Sequence, residues 1–257
     1  MASTTKNIIQ MQTNPLYTHK SIRKYKQQPI DDETINKIVD AGIRGSNTGN
    51  MQLYSIVLTT SDDVKRELAP AHFNQPMVTS APLVATVCVD VNRMSKWCKV
   101  SNADLAFNNL ESFITASIDA TIVAQNMALA AEEEGLGICY IGTTTYNPDM
   151  IIDVLKLPKG VFPLVTLTIG YPDETPALTE RLPAAAIVHK DRYADYSDSD
   201  IKALHAEKEA NPLNKKFVVE NHKENLAQVF AEIRYPRQTS EAFSERLVET
   251  LKKQGLM

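Results

Sequence analysis

Glycine, cysteine and positive charge are all in short supply in this sequence. Of its 257 residues only 9 are glycine and 3 are cysteine. Cys88, Cys98 and Cys139 form no Cys-x-x-Cys pair and cannot all pair with one another, which excludes a disulfide scaffold and favours a reducing compartment. The formal net charge of −4 argues against binding to nucleic acid or to an anionic membrane surface.

The first residues of the chain lack an apolar run of signal-peptide length, so we expect a cytoplasmic protein. The hydrophobic fraction is 43% and the charged fraction 23%, as in an ordinary globular protein. A chain of this length can bury a sizeable core. Disordered and fibrous classes are thereby excluded.

The sequence signatures of several large enzyme classes are also missing. There is no GxxxxGK[ST] loop, no HExxH pair and no GxSxG elbow. Segment 135–142 is rich in glycine, but Tyr140 stands where a dinucleotide fingerprint needs its third glycine. The histidines are scattered, so no metal site is predicted. Rossmann-type binding, P-loop chemistry, metallohydrolysis and acyl transfer therefore have no local support.

Helical and strand patterns are present but do not alternate regularly. Apolar periodicity and capping residues predict helices over 31–44, 62–68, 111–134, 148–156, 199–209, 220–232 and 239–254. Runs of β-branched and apolar residues predict strands over 55–60, 83–90 and 164–170. The proline-containing stretch 171–186 is predicted to be an extended loop. This layout indicates an α+β fold.

The helix predicted over 111–134 is apolar on more than one face and would extend about 36 Å. A membrane span is the rival interpretation, but Asp119, Gln125 and Asn126 interrupt the apolar surface too often. Either a central core helix or part of a dimer interface fits this pattern.

Three polar segments together suit a phosphorylated planar cofactor. Residues 19–23 place His19, Ser21 and Arg23 on one side of an extended chain, where cations and a hydroxyl suit an anion. The small polar residues of 45–52 and the glycines of 135–142 let the backbone approach a ligand closely. Taken singly, each segment also fits an ordinary turn, loop or helix cap.

These segments, together with 163–172 and 181–189, resemble the FMN-dependent nitroreductase superfamily, nearest to the oxygen-insensitive NADPH nitroreductases and NADPH–flavin oxidoreductases. The resemblance implies an α+β fold with a central mixed, mostly antiparallel sheet flanked by helices. It also implies an intertwined homodimer with two FMN sites. A single domain over 1–257 is expected, with an FMN-binding core over 14–196 and a C-terminal helical extension over 197–257.

The resemblance also implies the site residues. Arg23 would lie near N1 and the O2 carbonyl of the isoalloxazine ring, and it is the one catalytic candidate. The other implied FMN contacts are His19, Lys20, Ser21 and Arg181 on the phosphate and ribityl side, Ser46, Asn47 and Thr48 from the other subunit, Asn74 at the pyrimidine edge, Tyr140, Ile141 and Gly142 along the ring, and Gln52.

Two positions depart from the family pattern. Thr179 stands where the family has a phosphate-binding lysine, and Asn50 replaces a larger apolar residue. The first change removes one cation from the phosphate site, and the second widens the pocket or makes it more polar.

The implied function is hydride transfer from NADPH or NADH through flavin N5 to nitroaromatics, quinones or free flavin, by a ping-pong mechanism. Its partners would be small planar acceptors, with no nucleic acid and no membrane. Because this chemistry needs no nucleophile or side-chain base, it agrees with the missing motifs. The alternative is a non-enzymatic flavin-binding or interaction protein on the same fold, which Thr179 favours.

Two weaker hypotheses concern lysine and cysteine side chains. Lys215, Lys216 and Lys223 have the charge to bind the 2′-phosphate of NADPH, but an ordinary solvated loop explains them equally well. Cys139, beside Tyr140, is either a reactive thiol or a small core residue, and the second is favoured.

Overall fold

A computed structural model describes residues 14–105 and 107–257. The α-helices in these ranges are α1 (Pro15–Thr18), α2 (Asp32–Ile43), α3 (Asp62–Leu68), α4 (Pro76–Ser80), α5 (Asn92–Val100), α6 (Leu110–Glu133), α7 (Pro148–Leu155), α8 (Asp198–Ala210), α9 (Pro212–Glu220), α10 (Leu226–Gln228) and α11 (Arg237–Gln254). The strands are β1 (Tyr54–Thr59), β2 (Leu83–Asp90), β3 (Gly137–Ile141) and β4 (Val161–Gly170). Short 3-10 turns occur at Thr48–Asn50, Ala69–His72 and Ala184–Ala186, and a π-helical turn at Val229–Arg234.

The four strands form one sheet in the order β1-β2-β4-β3, and each neighbouring pair is antiparallel. Strand β2 lies second in this order and is buried along its whole length. Beside β3, Ser21 forms a parallel bridge to Ile138. The predicted α+β fold with a mixed, mostly antiparallel sheet is thus confirmed.

The two faces of the sheet are covered by different helices, because successive side chains of a strand point to opposite faces. Ile138 and Leu167 belong to the core that α2 and α6 build on one face. Cys139 and Ile141 belong to the core that α3, α4 and α7 build on the other. Strand β3 therefore contributes to both cores.

Helix α6 packs on the sheet and on α2, as expected for a core helix. Its Asp119 is buried and accepts hydrogen bonds from the backbone N–H and the hydroxyl of Thr48, at 2.9 and 3.2 Å. Among the described residues, α6 is the one helix whose length and apolar composition would let it cross a membrane, properties that core helices share. One stripe of α6 is exposed: Leu110 at 44%, Ile114 at 52% and Ile118 at 56%.

The chain forms two compact units. The first unit comprises the chain up to 178 together with 243–257, and the second comprises 179–242. The first unit contains the whole sheet with α1 to α7, and the second contains α8 to α10. Helix α11 begins in the second unit and ends in the first.

Most predicted elements are present, but the helix predicted over 220–232 is wrong. Helix α9 begins earlier because the Asn211 side chain caps it and Pro212 occupies its first turn, where no N–H partner is needed. A second cap, Asn225, starts α10 and the π-helical turn. Strand β3 and the short helices α4 and α5 were not among the predicted elements.

Candidate functional site

Residues 19–23 run along the free edge of β3. The Ile22 N–H donates to the Ile138 carbonyl at 2.8 Å, and Ser21 forms the bridge to the same residue. Ile22 is buried directly over Gly137, where a Cβ would lie 2.6 to 2.9 Å from three of its side-chain atoms. Only glycine at 137 permits this approach, which brings the first and third predicted segments together.

Helix α6 holds both segments from one side. His19 Nδ1 lies 2.8 Å from Glu132 Oε1, and the Tyr140 hydroxyl donates to Gln125 Oε1 at 3.1 Å. Tyr140 is 37% exposed, and burial of the rest of its side chain, with a contribution from the Glu132 carboxylate, raises its pKa to about 12. Tyr140 is therefore a neutral hydrogen-bond donor at physiological pH.

The outer side of this edge is positively charged and open. Within the described residues, neither Lys20 nor Arg23 has an ion-pair partner, and Arg23 is exposed. A Cβ added at Gly142 would meet no heavy atom within 4 Å, whereas the neighbouring Ile141 is buried. Among the described residues, Lys20 and Arg23 are thus without ion pairs, and no side chain covers the backbone at Gly142.

The predicted residue Asn74 belongs to the same part of the unit. It has a left-handed φ of 54°, and its N–H donates to the Ala69 carbonyl at 2.8 Å. The next residue, Gln75, donates from Nε2 to Thr143 Oγ1 at 3.2 Å. Because Thr143 directly follows Gly142, this bond places the Asn74 loop beside the Tyr140–Gly142 segment.

Sequence reasoning missed the residues that fasten this loop. Thr143 Oγ1 also lies 3.1 Å from His72 Nδ1, and burial lowers the pKa of His72 to about 4. Among the described residues His72 Nε2 is buried without a hydrogen-bond partner. Glu132 and Glu174, which hold His19 and the backbone of Arg23, were missed as well. No local motif marks any of them.

The segment 46–52 contacts a different part of α6. Thr48 is bonded to Asp119, and Asn47 Oδ1 accepts a hydrogen bond from the Gln52 N–H at 3.2 Å. Asp119 and Glu132 are thirteen residues apart on α6, which is about 20 Å along the helix axis. Within one chain, Thr48 and His19 are therefore anchored about 20 Å apart along α6.

Arg181 and the three candidate lysines belong to the second unit. The Arg181 guanidinium donates to the carbonyls of Thr179 and Glu180, at 3.2 and 3.1 Å, and its role toward a ligand remains a prediction. Lys216 Nζ lies 3.6 Å from Glu220, and Lys223 Nζ lies 2.7 Å from Glu232. For these two lysines the solvated-surface interpretation is favoured.

Cys139 is a core residue, as favoured from the sequence. It is 3% exposed, and burial raises the pKa of its thiol. Across residues 14–105 and 107–257, no group of three or more His, Cys, Asp or Glu side chains could hold a metal ion.

The chain is similar to proteins of known class over most of its length. The profile of the Nitroreductase family matches residues 16–171. The NADPH-flavin oxidoreductase of Vibrio harveyi is 34% identical over 188 residues, covering 73% of this chain and 77% of that protein.

Solved structures agree with this assignment. A protein of Bacteroides fragilis NCTC 9343 is 48% identical with a TM-score of 0.93, covering 94% of this chain and 98% of that one. The NADPH:FMN oxidoreductase of Vibrio harveyi, solved in complex with NAD+, is 27% identical with a TM-score of 0.78, covering 97% and 98%. The chain belongs to the nitroreductase family.

Proposed function

We propose that this chain is an FMN-dependent enzyme that passes hydride from NADPH to nitroaromatics, quinones or free flavin in a ping-pong cycle. Its coarser class, a flavin-dependent NAD(P)H oxidoreductase, follows from the family and from relatives named as NADPH-flavin and NADPH:FMN oxidoreductases. Its three cysteines are free and buried, which suits the proposed cytoplasmic location.

The site residues of the first unit fit FMN. The observation that carries the proposal is the pairing of residues 19–23 with β3, where Lys20 and Arg23 form no ion pair with a described residue and a Cβ at Gly142 would meet nothing within 4 Å. A flat ring needs an open surface to lie on, and a phosphate needs cationic and hydrogen-bonding groups. His19, Lys20 and Ser21 would hold the phosphate and ribityl side.

FMN, when bound, supplies the hydride chemistry, and the chain positions it and sets its electrostatics. We propose that Arg23 keeps a positive charge at the pyrimidine side of the ring, next to Asn74. Tyr140, Ile141 and Gly142 would line the ring. The hydrogen bond from the Tyr140 hydroxyl to Gln125 on α6 orients this side chain.

We propose that a second copy of the chain completes the site. Thr48 and His19 are anchored about 20 Å apart along α6. The exposed apolar stripe of α6, made of Leu110, Ile114 and Ile118, is the surface that a homodimer would bury. In such a dimer the 46–52 loop of one protomer completes the site of its partner.

The proposal is tested by loading the purified protein with FMN and adding NADPH without oxygen. We expect the yellow colour to bleach, and a nitroaromatic or quinone to restore it; colour that NADPH leaves unchanged would contradict the proposal. In stopped-flow, Arg23→Ala should slow flavin reduction about tenfold or more, since a hydrogen bond to a charged group is worth about 1.5–3 kcal/mol. Lys26→Ala, in the same exposed segment, is the matched control.

A further inference from the structure

Residues 171–174, which follow β4, run antiparallel to residues 23–26. Tyr25 forms a bridge to Pro172, and the Lys26 N–H donates to the Tyr171 carbonyl at 2.9 Å. The Asp173 N–H donates to the Lys24 carbonyl at the same distance. This pairing begins where residues 19–23 leave β3.

The side chain of Glu174 extends this pairing to the backbone of residues 23 and 24. Its Oε1 accepts hydrogen bonds from two consecutive backbone N–H groups, those of Arg23 at 2.6 Å and Lys24 at 3.1 Å. Hydrogen bonds to a carboxylate are shorter and stronger than those between neutral groups. One side chain therefore fixes the backbone from which the Arg23 side chain extends.

The charge of Glu174 acts in the same region as that of Arg23. Besides burial, which raises the pKa of the Cys139 thiol most, Arg23 lowers that pKa and Glu174 raises it. The two opposite charges are also both felt by the Tyr25 hydroxyl. Arg23 and Glu174 thus act with opposite sign on the same two groups, the Cys139 thiol and the Tyr25 hydroxyl.

We propose that Glu174 is a positioning residue for Arg23, which holds the 23–24 backbone and offsets the positive charge that Arg23 presents to the cofactor. This inference rests on the proposed function. Two effects of Glu174 can be separated. Loss of its hydrogen-bond acceptor displaces Arg23, whereas loss of its charge alone leaves the site more positive. A more positive site favours the reduced, more negative state of a bound flavin.

Two substitutions separate these consequences. Glu174→Gln keeps an oxygen acceptor and removes the charge, so FMN should bind within about twofold of wild type and the midpoint potential of bound FMN should rise. Glu174→Ala removes both, so FMN should bind about tenfold more weakly and flavin reduction by NADPH should slow about tenfold. In the Arg23→Ala background, Glu174→Ala should slow reduction no further, because the two residues act as one unit.

The matched control is Asp173→Asn, because Asp173 is the neighbouring exposed carboxylate whose side chain bonds to no described residue. It should leave the FMN affinity, the potential and the reduction rate at wild-type values. An unchanged potential in Glu174→Gln, or an equal rise in Asp173→Asn, would overturn the inference. If Glu174→Ala fails to fold, the midpoint potential of FMN bound to Glu174→Gln tests the inference by itself. Wild-type protein that binds no FMN, or is not bleached by NADPH, contradicts the proposed function instead.

Discussion

Gly137 is the first residue of β3 and Gly142 directly follows the strand, and their surroundings are opposite. A Cβ at position 137 would collide with Ile22, whereas one at 142 would meet open space. Gly137→Ala should therefore lower the free energy of unfolding by about 1–3 kcal/mol and weaken FMN binding, because residues 19–23 must move away from β3. Urea unfolding and FMN titration measure both effects.

Gly142→Ala is the matched comparison. Its free energy of unfolding should stay within about 0.5 kcal/mol of wild type, since the added methyl touches nothing in the chain. FMN binding should weaken, because that methyl would occupy the surface offered to the ring. If Gly142→Ala binds FMN as tightly as wild type, Gly142 does not line the cofactor.

The buried thiols yield a prediction about reactivity. Burial raises the pKa of Cys88 to about 12 and raises that of Cys139, so neither forms a thiolate near neutral pH. We expect the folded protein at pH 8 to react with no equivalent of a disulfide reagent such as DTNB. After unfolding in guanidinium, all three cysteines should react. Fast reaction of any thiol in the folded state would contradict this expectation.

At the residue scale, the sequence could indicate the ligand-facing side chains but not their supports. Ser21, Arg23 and Tyr140 belong to segments whose residue types suggest anion and ring binding. Their supports lie far away in the chain: Glu132 is 113 residues from His19, and Glu174 is 151 residues from Arg23. Such pairs arise from strand order and helix packing, which no local pattern encodes.

At the scale of elements, helix α11 is linked by hydrogen bonds to the 3-10 turn Ala69–His72, which precedes Asn74. Arg246 donates from Nε and Nη2 to the two carboxylate oxygens of Asp149, at 2.7 and 2.8 Å, and from Nη1 to Asn147 Oδ1 at 2.6 Å. Asn147 in turn donates to the Ala71 carbonyl at 2.9 Å. The end of α11 thus supports the site through three residues.

We predict that Arg246→Met lowers the free energy of unfolding by about 1–2 kcal/mol at pH 7. Burial alone would raise the pKa of Asp149, but the hydrogen bonds and charge of Arg246 outweigh it, so the pKa is lowered. A carboxyl with a lowered pKa in the folded state stabilises the protein above its unfolded pKa of about 3.9 and loses that contribution as the pH falls. The difference between wild type and variant should therefore shrink below about pH 4.

Urea unfolding at pH 7 and at pH 3 measures this effect. Arg237→Met is the control, because its ion pair with Glu241 is at 3.6 Å and both side chains are well exposed. It should change stability by less than about 0.5 kcal/mol at either pH. A loss in Arg246→Met that is the same at both pH values would show that the ion pair contributes nothing and only packing is lost.

Elements with long, unambiguous patterns could be predicted from the sequence. Helices α2 and α6 have caps and apolar stripes, and β2 is an uninterrupted apolar run. Strand β3 could not, because it has five residues, begins with glycine and exists as a strand only through pairing with β4.

For the whole molecule, the exposed stripe of α6 predicts self-association. Ile118→Glu would place a charge in the proposed interface, so we expect a monomer that has also lost most of its FMN affinity. Sedimentation measures the loss of the dimer, and FMN titration measures the loss of FMN affinity. Trp97→Glu replaces an apolar side chain that is 64% exposed on α5 and should leave both the dimer and FMN binding intact. A dimer that persists in Ile118→Glu would remove α6 from the interface.

The sequence predicts which segments contribute to the site, but it does not show which of them lie close together within one chain. His19 and Thr48 both bond to side chains of α6. The sequence alone does not show which residues of α6 they contact, because these contacts form only when the helix packs. The separation of about 20 Å follows from α6 being one unbroken helix. It makes the second copy of the chain part of the proposed function.

The most direct test mixes two defective chains. Arg23→Glu disables the β3 side of the site and Ser46→Glu disables the loop side, so each variant alone should bind no FMN. In a mixed dimer, one site combines the two intact halves and the other combines the two defective halves. We predict one FMN for each mixed dimer, measured by flavin absorbance on dimers purified with two different affinity tags. Mixed dimers without FMN would contradict a site shared between two chains.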